Sequence, residues 1–203
     1  HVYDRISLTA DHLHHEGEWT DRKKFRDTAE GLTDLLGGGH THCGAMIYLG
    51  NNWPEKYRNT LFLSNTHGRR INNDVLQRVG SGYVAGHGND FMIANHPWYK
   101  GVTQIYGPDG GVYLSDWTDI GECHDNDGVH RTSGRIYKVV YGEAENPGSL
   151  NLAEQTNREL VAHQLNDNDW YVRHARRLLQ ERYVAGNDLG AVSYTHLTLP
   201  TTP

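Results

Sequence analysis

Alternation of side chains between two faces marks the middle of this chain. Val112, Leu114 and Asp116 share one face of a stretch whose other face carries Tyr113 and Ser115. A second such stretch begins at Gly134, with Ile136, Lys138 and Val140 opposed to Arg135, Tyr137 and Val139. A period of two sends successive side chains to opposite faces of a β-strand. Ahead of the first stretch, Pro108-Asp109-Gly110 supplies a fixed φ, a side chain that bonds its own backbone and a residue free to turn. Runs at 45–49, 60–64, 71–79, 91–94 and 102–106 predict further strands, with 71–79 as the hairpin partner of 60–64. Trp53-Pro54 opens a turn between two of them. The expectation is a mainly β chain holding about two blades of a β-propeller, each of roughly four strands, because one such sheet needs neighbours to cover its faces.

The period changes after Pro147-Gly148. Residues 159–165 suit a helix, Asn166-Asp167-Asn168-Asp169 forms a turn with ready capping side chains, and a second helix runs from about Trp170 to Tyr183. Val172, Ala175, Leu178 and Leu179 fall on one face of it, with Arg173, Arg176, Arg177 and Glu181 largely on the other. The pair resembles one helical hairpin of the HEAT type, which cannot bury its apolar face alone and so predicts further repeats. Near the start, Phe25, Ala29, Leu32 and Leu36 have helical spacing, closed by Gly37-Gly38-Gly39. The chain thus divides into a polar segment with a short helix at 1–37, propeller blades at 38–145 and the start of helical repeats at 146–191. Residues 192–203 read as a translated sequencing adapter and are left out of the fold. With His1 first and no charged-then-apolar leader, the chain reads as a fragment.

Composition narrows the function. The chain has 36% hydrophobic residues, 23 glycines and a mean hydropathy of -0.71, which favours a loop-rich β protein over an all-helical one. A formal charge of -6 gives no basic field for tracking phosphates, so no nucleic-acid partner is expected. No apolar run approaches the roughly 18 residues that a membrane-spanning helix needs. Cys43 and Cys123 do not have metal-finger spacing and leave both a disulfide and two free thiols open. No Cys-x-x-Cys-His motif is present, so covalent haem is not expected in this stretch.

A longer motif string is more specific. Gly38-Gly39-His40-Thr41-His42-Cys43-Gly44, then Met46-Ile47-Tyr48-Leu49-Gly50, Trp53-Pro54-Glu55-Lys56-Tyr57-Arg58, and Leu61-Phe62-Leu63-Ser64-Asn65-Thr66-His67-Gly68-Arg69-Arg70 resemble the membrane-bound-dehydrogenase-like proteins of planctomycetes. More distantly the string resembles the quinoprotein glucose/sorbosone dehydrogenases. The resemblance, covering about Gly38 to Tyr183, implies a six-bladed propeller followed by helical repeats and often a c-type haem domain that accepts electrons. It implies an exported or periplasmic oxidoreductase that binds pyrroloquinoline quinone with calcium and oxidises a sugar or alcohol. It further implies catalytic roles for His40 and His42 and cofactor-binding roles for His67, Arg69 and Arg70. The general-base histidine of such enzymes usually belongs to an earlier blade.

The residues themselves leave alternatives open. His40, His42 and Cys43, with His67 or His124, form a set capable of zinc coordination, of substrate contact, or of purely structural hydrogen bonding. Arg69 and Arg70 have the planar fork that grips a carboxylate, but a strand-end pairing with Asp74 or Glu55 is equally consistent with their position. Asp116 and Asp119, in an acidic loop continuing through Cys123 to Asp127, offer calcium-type oxygens; a solvated loop capped by its own carboxylates, or an Arg131–Asp116 ion pair, is the competing reading. Trp53, Trp98, Tyr99, Tyr106, Tyr113 and Trp117 can stack on sugar rings or pack between sheets. Three functions follow: a quinoprotein-like sugar or alcohol dehydrogenase, a non-catalytic propeller that binds glycan or protein, and a metal-dependent hydrolase built on His40, His42 and Cys43.

Overall fold

The computed structural model describes residues 41–66, 68–119, 128–144, 146–187 and 189. The expected helix near Phe25, the motif residues His40 and His67, Cys123 and His124, and the 192–203 tail lie outside the described residues.

Two compact units are present. One gathers Glu55–Ile105 and Val112–Val139 with the chain up to Tyr48; the other gathers Leu49–Pro54, Tyr106–Gly111 and the chain from Val140 onward. The first unit holds two antiparallel sheets. Strands β1 (His42–Ile47), β2 (Leu61–Asn65), β3 (Arg70–Val79) and β4 (Gly82–His87) lie side by side in chain order, and β5 (Met92–Ile93) pairs with the start of β3. Strands β6 (Gly101–Tyr106), β7 (Val112–Asp116) and β8 (Arg135–Val139) form the second sheet. The expected hairpin is observed, with Leu61 opposite Asp74 and Asn65 opposite Arg70.

The expected two sheets of four strands are instead sheets of five and three. The extra strand is β4, whose sequence Gly82-Tyr83-Val84-Ala85-Gly86-His87 has too little apolar alternation to announce itself. It forms because β3 is ten residues long and its outer half, Asp74 to Val79, needs a backbone partner. Most of this hairpin arm is exposed, including Val75, Val79, Tyr83 and Val84.

Aromatic rings make the core of the five-stranded sheet. Phe62, fully buried, stands 4.4 Å from Phe91 and 5.7 Å from Tyr48 between ring centres, and Tyr57 meets both phenylalanines edge-on. Between the sheets the packing turns polar. Gln104 on β6, buried, donates through its amide nitrogen to the carbonyls of Gly44 and Phe62, and its amide oxygen accepts from Ser64 Oγ at 2.6 Å. Thr66 Oγ1 donates to the Gly101 carbonyl at 2.8 Å. Gly44 permits this approach: it sits at φ 62°, and a Cβ there would stand 2.3 Å from the Val102 carbonyl oxygen. The same residue marks an irregularity in the β1–β2 register.

The second unit is built on two helices, α1 (Asn157–Ala162) and α2 (Asp169–Val184). Leu152, Leu160, Ala175 and Leu179 form their buried contact, matching the face expected for the second helix. Asn168, wholly buried, caps α2 by accepting from Trp170 N at 3.1 Å, while its amide nitrogen donates to the carbonyls of Gly107 and Pro108. The Pro108 turn is closed as expected, with Asp109 accepting from Gly111 N at 3.0 Å and Gly110 at φ 72°. Thr156 and Glu159 form a reciprocal capping box at the start of α1.

Replacing Gly44 by Ala would place a methyl against the β6 backbone in a left-handed conformation. The expected loss is roughly 2 kcal/mol or more, read from urea unfolding. Hydrogen bonds from Thr156 hold the Glu159 carboxyl below its ordinary range. A lowered folded-state value stabilises above the unfolded-state value and is lost as pH falls through the folded one. Melting temperatures of the wild type and Glu159→Gln should therefore differ at neutral pH and converge on acidification.

Candidate functional site

The hairpin loop between β2 and β3 carries the His67-Gly68-Arg69-Arg70 motif, and its neighbours brace it. Asn65, the last residue of β2, accepts from Gly68 N through Oδ1 at 2.9 Å. Only glycine fits at 68, since a Cβ would stand 2.6 Å from the Asn65 amide. The Asn65 amide nitrogen reaches Asn72 Oδ1 at 3.4 Å, and Asn72 Nδ2 lies 3.3 Å from His42 Nε2 on β1. If Asn72 donates there, the imidazole is neutral with its hydrogen on Nδ1. The structure thus brings His42 and the arginine loop into one side-chain lattice.

Arg70 closes that lattice on the other side. Its guanidinium is buried, donates from Nε to the Gly68 carbonyl at 3.3 Å, and forms an ion pair from one terminal nitrogen with Asp90 Oδ2 at 2.9 Å. His87 stands between two carboxylates, with Nδ1 3.1 Å from Asp74 and Nε2 3.5 Å from Asp90. The pairing of Arg70 is therefore with Asp90 rather than Asp74 or Glu55. A buried guanidinium needs such a partner because removing it from water is costly. Arg69 differs: it is half-buried, sits at φ 55°, and its carbonyl accepts from Ala94 N at 3.0 Å. A non-glycine residue held there stores roughly 1 kcal/mol or more, a strain that recurs at ligand-binding loops.

His42 and Cys43 diverge, as adjacent strand residues must. Cys43 Sγ lies 3.5 Å from Thr66 Oγ1 and 3.8 Å from the Gly101 carbonyl, on the side facing β6. Among the described residues no three of His, Cys, Asp and Glu are gathered to hold a metal ion.

Asp116 and Asp119 are engaged by their own loop. Asp116 Oδ1 accepts from Lys100 N and Thr118 N, both at 2.8 Å, and Oδ2 accepts from Thr118 Oγ1 at 2.7 Å. Asp119 Oδ1 accepts from Trp117 Nε1 at 2.7 Å and Oδ2 from His130 N at 3.4 Å. Calcium needs six to eight oxygens turned toward one point; among the described residues these two carboxylates cap the loop, and the rest of the acidic loop, 120–127, lies outside the described residues. The Arg131 pairing considered for Asp116 is replaced by these donors, and in the β7–β8 register Asp116 lies opposite Arg135.

Asp90, His87, Asn65 and Asn72 are the site residues that sequence reasoning missed. Asn65 and Asn72 stand two residues to either side of the motif in sequence, and in the hairpin Asn65 lies opposite Arg70 and Asn72 opposite Leu63. Asp90 offers no comparable signal, because its link to Arg70 depends on the return of the chain through β4.

If Arg70 is held by Asp90, Asp90→Ala should destabilise by about 3–5 kcal/mol in urea unfolding, since it leaves a buried charge unpaired. The double variant Arg70→Met with Asp90→Leu should recover most of that loss.

The sequence profile of one family, described as a domain of unknown function (DUF7133), matches residues 20–143, well over half of the chain. No curated protein and no solved structure matches it.

Proposed function

We propose that this chain, which belongs to the DUF7133 family, contributes propeller blades to an exported quinoprotein-like dehydrogenase acting on a sugar or related alcohol. The observation that carries the reading is the braced β2–β3 loop, in which a strained Arg69 stands beside a lattice reaching His42. Two antiparallel sheets facing each other across Gln104 support the propeller, and the α1–α2 hairpin supports a start of HEAT-like repeats. In this reading electrons leave through a c-type haem domain or a similar acceptor.

A quinone with carboxylate groups would find its cation in Arg69 rather than Arg70, whose guanidinium is committed to Asp90. His67 shares that loop by sequence. His42, oriented by Asn72, would meet the substrate hydroxyl or the cofactor rim as a neutral imidazole. When bound, pyrroloquinoline quinone supplies the hydride acceptor. Calcium, if it takes part, is not held by Asp116 and Asp119 as folded.

A second reading, a non-catalytic propeller that binds glycan or protein, is favoured by the commitment of Arg70, Asp116 and Asp119 to internal partners. Titration of the intact protein, including the blades that would supply the base, with pyrroloquinoline quinone, with and without calcium, separates the two when dye reduction is followed over sugars and alcohols. The dehydrogenase reading expects saturable binding with turnover, weakened about tenfold or more by Arg69→Ala and by His42→Ala. Absence of both binding and turnover selects the second reading.

A further inference from the structure

The base of the β3–β4 arm meets the arginine loop through the imidazole of His87. Register places this residue opposite Asp74, so the two side chains share one face of the hairpin. Directly after it the chain doubles back. Gly88 N donates to the Asn73 carbonyl at 2.8 Å, and a Cβ on Gly88 would stand 2.8 Å from that oxygen. The turn brings Asp90, three residues on, to the other nitrogen of the ring.

Both ring nitrogens therefore face carboxylate oxygens. Nδ1 lies 3.1 Å from Asp74 Oδ1, and Nε2 lies 3.5 Å from Asp90 Oδ1. The Asp90 oxygen is buried and accepts no hydrogen bond, while its sister oxygen is taken by Arg70. None of the three side chains is more than 19% exposed, so solvent supplies little of what the ring withholds. The 3.5 Å separation exceeds the roughly 2.7–2.9 Å of a charge-assisted bond, a gap that a hydrogen on Nε2 would close.

Among the described residues, the charged groups facing the ring are Asp74 from β3 and Asp90 from the segment before β5, with Arg70 behind Asp90. A neutral imidazole carries one hydrogen and can serve one carboxylate; its second nitrogen then turns a lone pair on the other. An imidazolium carries two, serves both, and sets two cations against two carboxylates. Histidine is the side chain that moves between these forms in the ordinary pH range of proteins.

We propose that His87 is a proton-operated latch: as the imidazolium it ties the arm, through Asp74, to the arginine loop, through Asp90, and it slackens on returning its proton to solvent. The arm beyond it is paired strand to strand but leaves Val75, Val79, Tyr83 and Val84 exposed. Closing the latch also engages Asp90 on both oxygens, which fixes the carboxylate that holds Arg70. A proton taken up by the closed arm adds stability at the acid end of the range, and that stability is lost as pH rises. The device does not depend on which function the loop serves.

Hydrogen exchange of the β4 backbone amides and nitrogen NMR of the histidine rings, in the full chain over about pH 5 to 8, test the latch. Corrected for intrinsic rates, β4 protection should fall by about fivefold or more as pH rises. Over the same interval His87 should pass from hydrogens on both ring nitrogens to a hydrogen on one. His87→Gln, which cannot change its charge, should flatten the pH dependence of β4, and Asp74→Asn should reduce it. Should His87→Gln fail to fold, the ring spectra of the wild type decide alone. β4 protection that does not vary with pH, the same variation in His87→Gln, or a His87 ring that keeps one bare nitrogen at the acid end would overturn the proposal.

Discussion

The amide of Gln104 is the contact on which the first unit depends. It enters the neighbouring sheet and meets three groups there: the carbonyls of Gly44 and Phe62 and the hydroxyl of Ser64. A buried amide left unmatched costs about 1–3 kcal/mol, so a side chain of this kind tolerates few alternative registers. Apolar side chains would hold the sheets together with less positional demand, because burial of area is nondirectional. Gly44 is the matching concession on the other strand, where loss of the side chain lets two backbones come close. The aromatic cluster around Phe62 supplies burial, and Gln104 fixes which residues face which.

The same logic governs the arginine loop. Arg70, Asp90, His87 and Asp74 form a chain of charged and polar contacts running from the hairpin loop to the end of β4. Within it Asp90 Oδ2 is matched by Arg70, while its Oδ1 is buried with only a 3.5 Å approach from His87. Arg69, the adjacent residue, is held at positive φ beside this chain of contacts. Two arginines adjacent in sequence thus differ in setting: Arg70 anchors the loop through Asp90, while Arg69 is half-buried at positive φ beside it.

Much of the fold was legible because strands and helices repeat with short periods. Phe62 and Ser64 alternate with Leu61 and Leu63 as a half-buried strand requires, and Val172, Ala175 and Leu179 recur as a helix face requires. Asn168 could be read as a cap, since a short polar side chain before an apolar periodic run has few other uses. β4 was not legible, for Gly82, Ala85 and Gly86 carry no burial signal and pairing with β3 is settled by backbone demand. The site was legible only in its local part. The arginine motif and His42 were visible in sequence, while the Arg70–Asp90 pair joins residues whose nearness depends on two intervening strands. Asp116 and Asp119 show what sequence leaves out: an acidic loop suggests a cation, and the described donors nearest to these oxygens are the backbone and side chains of their own segments.

The distribution of charge within the fold carries one further consequence. The formal charge of the chain is -6, which by itself predicts repulsion of anions. Yet Asp90 is paired with Arg70, and Asp116 and Asp119 accept hydrogen bonds from their own segments, so these carboxylates are committed inside the fold. A group of the opposite kind is Arg135, whose guanidinium donates to the Tyr137 hydroxyl on an exposed strand. Local potential is set by the nearest charges in a poorly screened site, not by the sum over the molecule. An acidic chain can in this way use its carboxylates as caps and ion-pair partners of the fold, so that its net charge does not describe each part of its surface.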